Sequence, residues 1–101
     1  MIPIQEFLSL KKLALDQKVV GEWEHAADPD FVAYVLEKHS ELDYQHLRCA
    51  MRILQNVNRE DVRRFFETYL GHSEIGYSSL ARGSLDLQRQ RGWFDVPTRT
   101  R

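Results

Sequence analysis

The sequence predicts an all-α fold: a small single-domain bundle of four to five helices with short connections and a frayed C-terminal tail. Three observations predict it. Between Asp28 and Gly71, apolar residues recur at steps of three and four, the spacing of a buried helix face. Helix-start residues stand in front of each recurring set. The chain has 101 residues, enough for one domain with one modest core, and the joints between the sets are too short to do anything but fold neighbours onto one another.

The N-terminal stretch reads as a helix from Pro3 to Lys18. Pro3 suits a first helical turn. Ile4, Phe7 and Leu8 make one patch, and Leu10, Leu13 and Ala14 overlap it imperfectly, so the helix is apolar around much of its girth. Such a helix belongs in the core or in a subunit interface. Residues 19–27 form a connection, with Trp23 tucked against the helices. A lone short strand there would have no mate.

Asp28-Pro29-Asp30 starts the next helix. Asp28 caps the free N–H groups, Pro29 needs no donor in the first turn, and Asp30 adds negative charge at the positive end. Phe31, Val32, Val35 and Leu36 follow at helical spacing, and the helix fades near His39. Ser40-Glu41-Leu42-Asp43 resembles a capping box and restarts the chain as a helix. Leu47, Ala50, Met51, Leu54 and Val57 form its stripe, with Ile53 at the edge and Arg48, Arg52 and Gln55 on the wet side. Asn58 caps a third helix with Asp61 three residues on. Its stripe is Val62, Phe65, Phe66, Tyr69 and Leu70, and Gly71 takes the positive-φ position past its end.

Beyond Gly71, Ser73-Glu74 is expected to cap a further helix with Ile75, Leu80 and Ala81 inward. Gly76 and Gly83 each weaken a helix by about 1 kcal/mol. Ser84 is expected to open another short turn through Gln90, and Gly92 to end it. One helical domain over residues 1–95 and a flexible tail over 96–101 follow.

No apolar run reaches the roughly 20 residues a membrane helix needs, and no basic region followed by an apolar block marks a secretory signal. One cysteine, Cys49, allows no internal disulfide, which fits a cytoplasmic protein. The net charge of −1 argues against broad nucleic-acid binding. Residues 1–50 carry five basic and nine acidic side chains, and residues 51–101 carry nine and six, the basic ones all arginine.

His39, His46 and Cys49 are the candidate metal ligands. A zinc site needs three or four such groups, but Ser40 interrupts the helix between them, and no paired cysteine or HExxH accompanies them. A buried Cys49 packing as a small hydrophobe explains that position better. Gly76-Tyr77-Ser78-Ser79 lacks the second glycine and the preceding strand of a nucleophile elbow. Asp43 and Asp61 are helix caps before they are paired carboxylates, and no glycine-rich phosphate loop is present. The sequence therefore predicts no enzyme, no metal and no cofactor.

What it offers instead is arginine beside aromatics, a composition favoured at protein interfaces. The candidate partner-binding residues are Arg63, Arg64, Arg82, Arg89, Arg91, Trp93 and Phe94. The expected function is a small helical interaction module, an adaptor, inhibitor or regulatory protein that binds another protein, with a homodimer as one form of partnership. The alternative is a nucleic-acid-binding regulator using the arginines of the second half on phosphates. It is second because a helix-turn-helix reader needs a glycine-bearing turn of three or four residues, and the tight Ser40 and Asn58 joints carry none.

Overall fold

The computed structural model describes residues 1–26 and 28–93. It holds six α-helices: α1 Ile4–Ser9, α2 Lys12–Lys18, α3 Pro29–Lys38, α4 Tyr44–Leu54, α5 Glu60–Tyr69 and α6 Ile75–Gln90. A π-helical turn, Val19–Trp23, continues α2, and a 3-10 turn, His39–Glu41, follows α3. No strand occurs among the described residues.

Helices α4, α5 and α6 are the frame. Tyr44 at the start of α4 meets Tyr77 at the start of α6, with ring centroids 5.4 Å apart. Gln55 at the far end of α4 accepts from Ser84 Oγ at 3.2 Å, and its carbonyl accepts from Gln88 Nε2 at 3.1 Å. The two helices therefore run parallel, and α5 returns between them in sequence. The α4 stripe is buried as its spacing predicts: Leu47, Ala50, Met51, Leu54 and Val57 all lie in the core, and so does Ile53. From α5, Val62, Phe65, Phe66 and Tyr69 join it, whereas Leu70 is exposed.

The capping signals held in part. Asp28 caps α3 as expected, accepting from Asp30 N at 3.0 Å and Phe31 N at 3.4 Å. It also accepts from Ile2 N at 2.6 Å, which pins the chain start to α3. The segment 39–41 is a 3-10 turn, not the start of α4; the cap of α4 is Asp43, which accepts from His46 N at 2.8 Å. Asn58 does not cap α5 either. Arg59 occupies that position, Asn58 Oδ1 accepts from Arg63 at 3.0 Å, and the Asp61 carboxylate turns to Arg59 at 2.7 Å. At the second joint the Asn58 side chain has Arg63 within reach as an alternative partner, and position in the sequence does not decide between them.

Three further expectations are corrected. The continuous helix over Pro3–Lys18 is broken between Ser9 and Lys12, where Lys12 takes φ +53°. The Gln45 side chain bridges this break, accepting from Lys12 N and donating to Lys12 O, both at 2.7 Å. The break and the π turn re-aim the helix faces, so that Phe7, Leu15, Val19 and Trp23 all reach the core while Leu13 and Ala14 face solvent. Gly71 is not a positive-φ residue; among the described residues Gly92, at φ +80°, is the glycine in that conformation. Finally, residues 75–90 are one helix of 16 residues through both glycines, capped by Glu74, with Ser84 buried at mid-helix and Ile75 74% exposed. Packing along α4 and α5 outweighs the glycine penalty.

All of these elements share one hydrophobic core, with Phe7, Phe31 and Phe66 fully buried. Phe7 ties the N-terminal third to the frame: it meets Phe31 edge-on at 5.0 Å and Trp23 at 6.2 Å, and it meets His46 of α4 edge-on at 5.2 Å. The tail at 96–101 lies outside the described residues.

Candidate functional site

The end of the frame where α4 and α6 begin and α5 finishes carries a continuous run of rings. His39 meets Tyr69 at 5.4 Å, Tyr69 stacks on His72 at 5.5 Å, and His72 meets Tyr77 edge-on at 5.1 Å. Tyr77 continues to Tyr44 at 5.4 Å, and the Arg48 guanidinium lies over Tyr44 at 5.7 Å. Each ring comes from a different place in the chain: the 3-10 turn, the end of α5, the α5–α6 connection, and the first turns of α6 and α4. Beside them a groove of 380 Å³ is lined by His39, Leu42, Leu47, Tyr69, His72 and Tyr77.

Local structure fixes the rings. Tyr69 faces inward on the α5 stripe, so its hydroxyl reaches His39 Nδ1 at 2.6 Å. Burial lowers the His39 pKa and raises that of Tyr69, which the neighbouring Tyr77 raises further. At neutral pH the pair is thus a protonated phenol and a neutral imidazole joined by one hydrogen bond, donated by the Tyr69 O–H or by Nδ1–H according to the His39 tautomer. His72 Nδ1 accepts from Glu74 N at 2.9 Å. The Tyr77 pKa is raised first by burial, then by the negative charge of Glu74, by Tyr44 and by Asp43. Tyr69 and Tyr77 stay protonated, and His39 Nδ1 is engaged by the Tyr69 hydroxyl. What this end presents is ring faces, N–H and O–H groups, and an apolar groove; Tyr44, which lies against Tyr77, is 47% exposed, and Ile75, the first residue of α6, is 74% exposed.

The partner-binding residues expected from sequence are distributed differently. Arg82 and Arg89 come together with Leu70, Leu85 and Asp86 around a groove of 270 Å³. Arg89 Nη1 lies 3.0 Å from Asp86. Arg91 donates to Asn56 Oδ1 at 3.1 Å and lies over Trp93 at 5.2 Å. Arg63 donates to Asn58, and Arg64 pairs with Glu60 at 2.8 Å. Phe94 lies outside the described residues.

The residues weighed as metal ligands have other partners. His39 turns to Tyr69, and His46 lies between Asp43 and the Phe7 carbonyl, at 2.8 and 3.0 Å. No group of three or more His, Cys, Asp or Glu that could hold a metal ion occurs among the described residues. Cys49 is buried, and its thiol pKa is pushed up to about 12 by burial and by the Asp16 carboxylate, to which Sγ donates at 3.5 Å. It is a poor nucleophile. Ser78 and Ser79 lie within α6, where Ser79 Oγ donates back to the Ile75 carbonyl at 2.7 Å.

The aromatic end was not singled out from the sequence. Its only local signal is the Tyr69–His72 spacing; Tyr44, His39 and Tyr77 join through the tertiary fold. No family model, no curated protein and no solved structure matches this chain.

Proposed function

We propose that this protein is a small helical interaction module, an adaptor, inhibitor or regulatory protein that acts by binding another protein and not by catalysis. The observation that carries this reading is the aromatic end, where His72 and Tyr77 line a groove, Tyr44 lies against Tyr77 with Arg48 over its ring, and Ile75, two residues before Tyr77, is exposed. Tyrosine and arginine around an apolar recess are what binding hot spots are built from. Rigid rings also lose little conformational freedom on association. The Arg82–Leu85–Arg89 groove is a second contact surface for the same purpose, and a homodimer one form of the partnership. The nucleic-acid alternative gains no support from the structure, because Arg59, Arg64 and Arg89 each pair with a carboxylate on or beside their own helix.

A cytoplasmic setting suits the single buried cysteine. Among the described residues no helix is long and apolar enough to cross a membrane.

The test is affinity capture from the source cell with the wild-type chain, Ile75→Asp and Arg82→Asp, read by quantitative mass spectrometry. A partner held by the wild type and lost with Ile75→Asp supports the reading. Capture of the same proteins in the same amounts by all of them overturns the aromatic end as the binding face.

A further inference from the structure

The groove at the aromatic end is walled by rings, and among the described residues that line it there is no Lys, Arg, Asp or Glu. Tyr69 and His72 stack at 25°. Tyr77 stands across both, at 80° and 75°, with centroids 5.7 and 5.1 Å away. A group set in the angle between perpendicular rings meets the face of at least one of them. Ring faces carry the negative part of the aromatic quadrupole and attract cations. The chain makes this contact with its own cations, Arg48 over Tyr44 at 5.7 Å and Lys18 over Trp23 at 5.6 Å.

The charges around the groove favour the same sign. Asp43 caps α4, Glu74 caps α6, and the field of both carboxylates reaches Tyr77. They oppose the positive poles of the two helix starts, and α5 ends here with its negative pole. The basic side chains nearby are turned elsewhere. Arg48 lies over Tyr44, donates to the Gly76 carbonyl at 3.2 Å and lines a different groove with Asp16 and Cys49. Lys38 pairs with Glu41 at 3.8 Å, and Lys11 acts on Asp43.

With the aromatic end as the binding face, the reading on which this rests, we infer that its groove takes a basic side chain, a lysine or arginine in a segment of a partner protein. The cation sits against the Tyr77 and His72 rings, and the aliphatic stem lies along Leu42 and Leu47, which line the same groove. An acidic side chain is turned away by Asp43 and Glu74, and a neutral aliphatic one gains only the apolar contact.

The experiment titrates the full chain, labelled with ¹⁵N, with capped glycine-serine peptides that carry one lysine, arginine, norleucine or glutamate. Amide shifts of Thr68, Tyr69, His72 and Tyr77 report occupancy of the groove. The lysine and arginine peptides should move these amides. Norleucine, a lysine without its ammonium, should bind about threefold to thirtyfold more weakly, the size of a cation–π contact. The glutamate peptide should leave them in place. Tyr77→Leu should lose the lysine preference and Tyr77→Phe keep it, because the ring face is what counts. Glu74→Gln should weaken lysine binding and flatten its salt dependence. Equal binding of lysine and norleucine overturns the inference and leaves an apolar docking face, with the protein-binding reading intact. Preference for glutamate overturns it as well. So do shifts of the same amides on concentrating the protein alone, which would assign the groove to a second copy. Silence with every peptide also overturns it, and capture with Ile75→Asp then decides separately whether the aromatic end binds a partner at all. If Tyr77→Leu does not fold, the lysine and norleucine titrations of the wild type decide by themselves.

Discussion

Helix α6 contains two glycines that should answer oppositely to the same substitution. Gly83 lies at mid-helix, exposed, with nothing within 4 Å of a Cβ placed on it. Gly83→Ala should therefore recover close to the full helix-propensity difference, about 0.8–1.0 kcal/mol, partly by reducing the freedom of the unfolded chain. For a domain of this length that corresponds to a rise in Tm of roughly 4–8 °C. A Cβ on Gly76, by contrast, would overlap the Tyr44 hydroxyl and lie 2.8 Å from ring carbons Cε1 and Cζ. The ring must swing away, giving up its contacts with Tyr77 and Arg48, and an aromatic pair is worth about 0.5–1.5 kcal/mol. Gly76 is also only the second residue of α6, where the propensity gain is small. Gly76→Ala should thus be neutral or destabilising by up to about 1 kcal/mol. Urea unfolding followed by far-ultraviolet circular dichroism separates the two. Equal effects from both substitutions, or a Gly83→Ala protein no more stable than wild type at unchanged m-value, would refute the reasoning.

Other outcomes follow from buried groups. Phe66→Ala, at a fully buried ring of α5, should cost about 3–5 kcal/mol, a large share of a domain's stability, read by urea unfolding; a loss under about 1 kcal/mol would contradict the burial of this ring. Cys49 should resist a thiol reagent at about pH 8 in the folded protein and react at once in denaturant, because its pKa is pushed up to about 12; fast labelling of the native state contradicts the buried thiol. The Asp28 pKa is lowered, chiefly by the Ile2 N–H and then by Phe31 and Asp30. Its contribution is complete above the ordinary carboxyl range and is lost as pH falls through the lowered value, so Asp28→Ala should cost about 1 kcal/mol at neutral pH. The difference from wild type should vanish in acid, and a penalty independent of pH would assign the effect to packing instead.

Much of the fold was legible because the α4 and α5 stripes each have a single solution. Leu47, Ala50, Met51 and Leu54 can share a dry face only on a helix, and they do. The N-terminal third was less legible because its apolar residues spread around the whole girth. Such a pattern says that burial is needed but not along which axis, and the Lys12 kink depends on Gln45, 33 residues away. Helix α6 was underread for a related reason. Gln88 and Ser84 are fully buried polar residues whose partners are Gln55 atoms on α4. A local reading treats such residues as solvent-facing, since burial of a polar group is acceptable only where a distant partner exists. The aromatic end was hidden for the same cause: its five rings come from five places in the chain that only packing brings together.

The chain's charge asymmetry shows how helix direction redistributes what the linear order suggests. Acidic and basic halves of the sequence need not become acidic and basic halves of the molecule. Because α4 and α6 run parallel, their caps Asp43 and Glu74 lie at one end, each drawn there by the free N–H groups of a helix start. Acids of the N-terminal half are met by α4, as Arg52 and Glu24 show at 3.3 Å. Arg89 and Arg91 stand at the opposite end of α6, beside the Asn56 connection. The aromatic face therefore sits in a locally negative field, felt by Tyr77 through Glu74 and Asp43. Reversing that field with Glu74→Lys should raise the fraction of ionised Tyr77 at a given alkaline pH, measurable by its ultraviolet absorbance. An unchanged Tyr77 titration would mean that burial alone sets it and that the helix caps lend the face no charge.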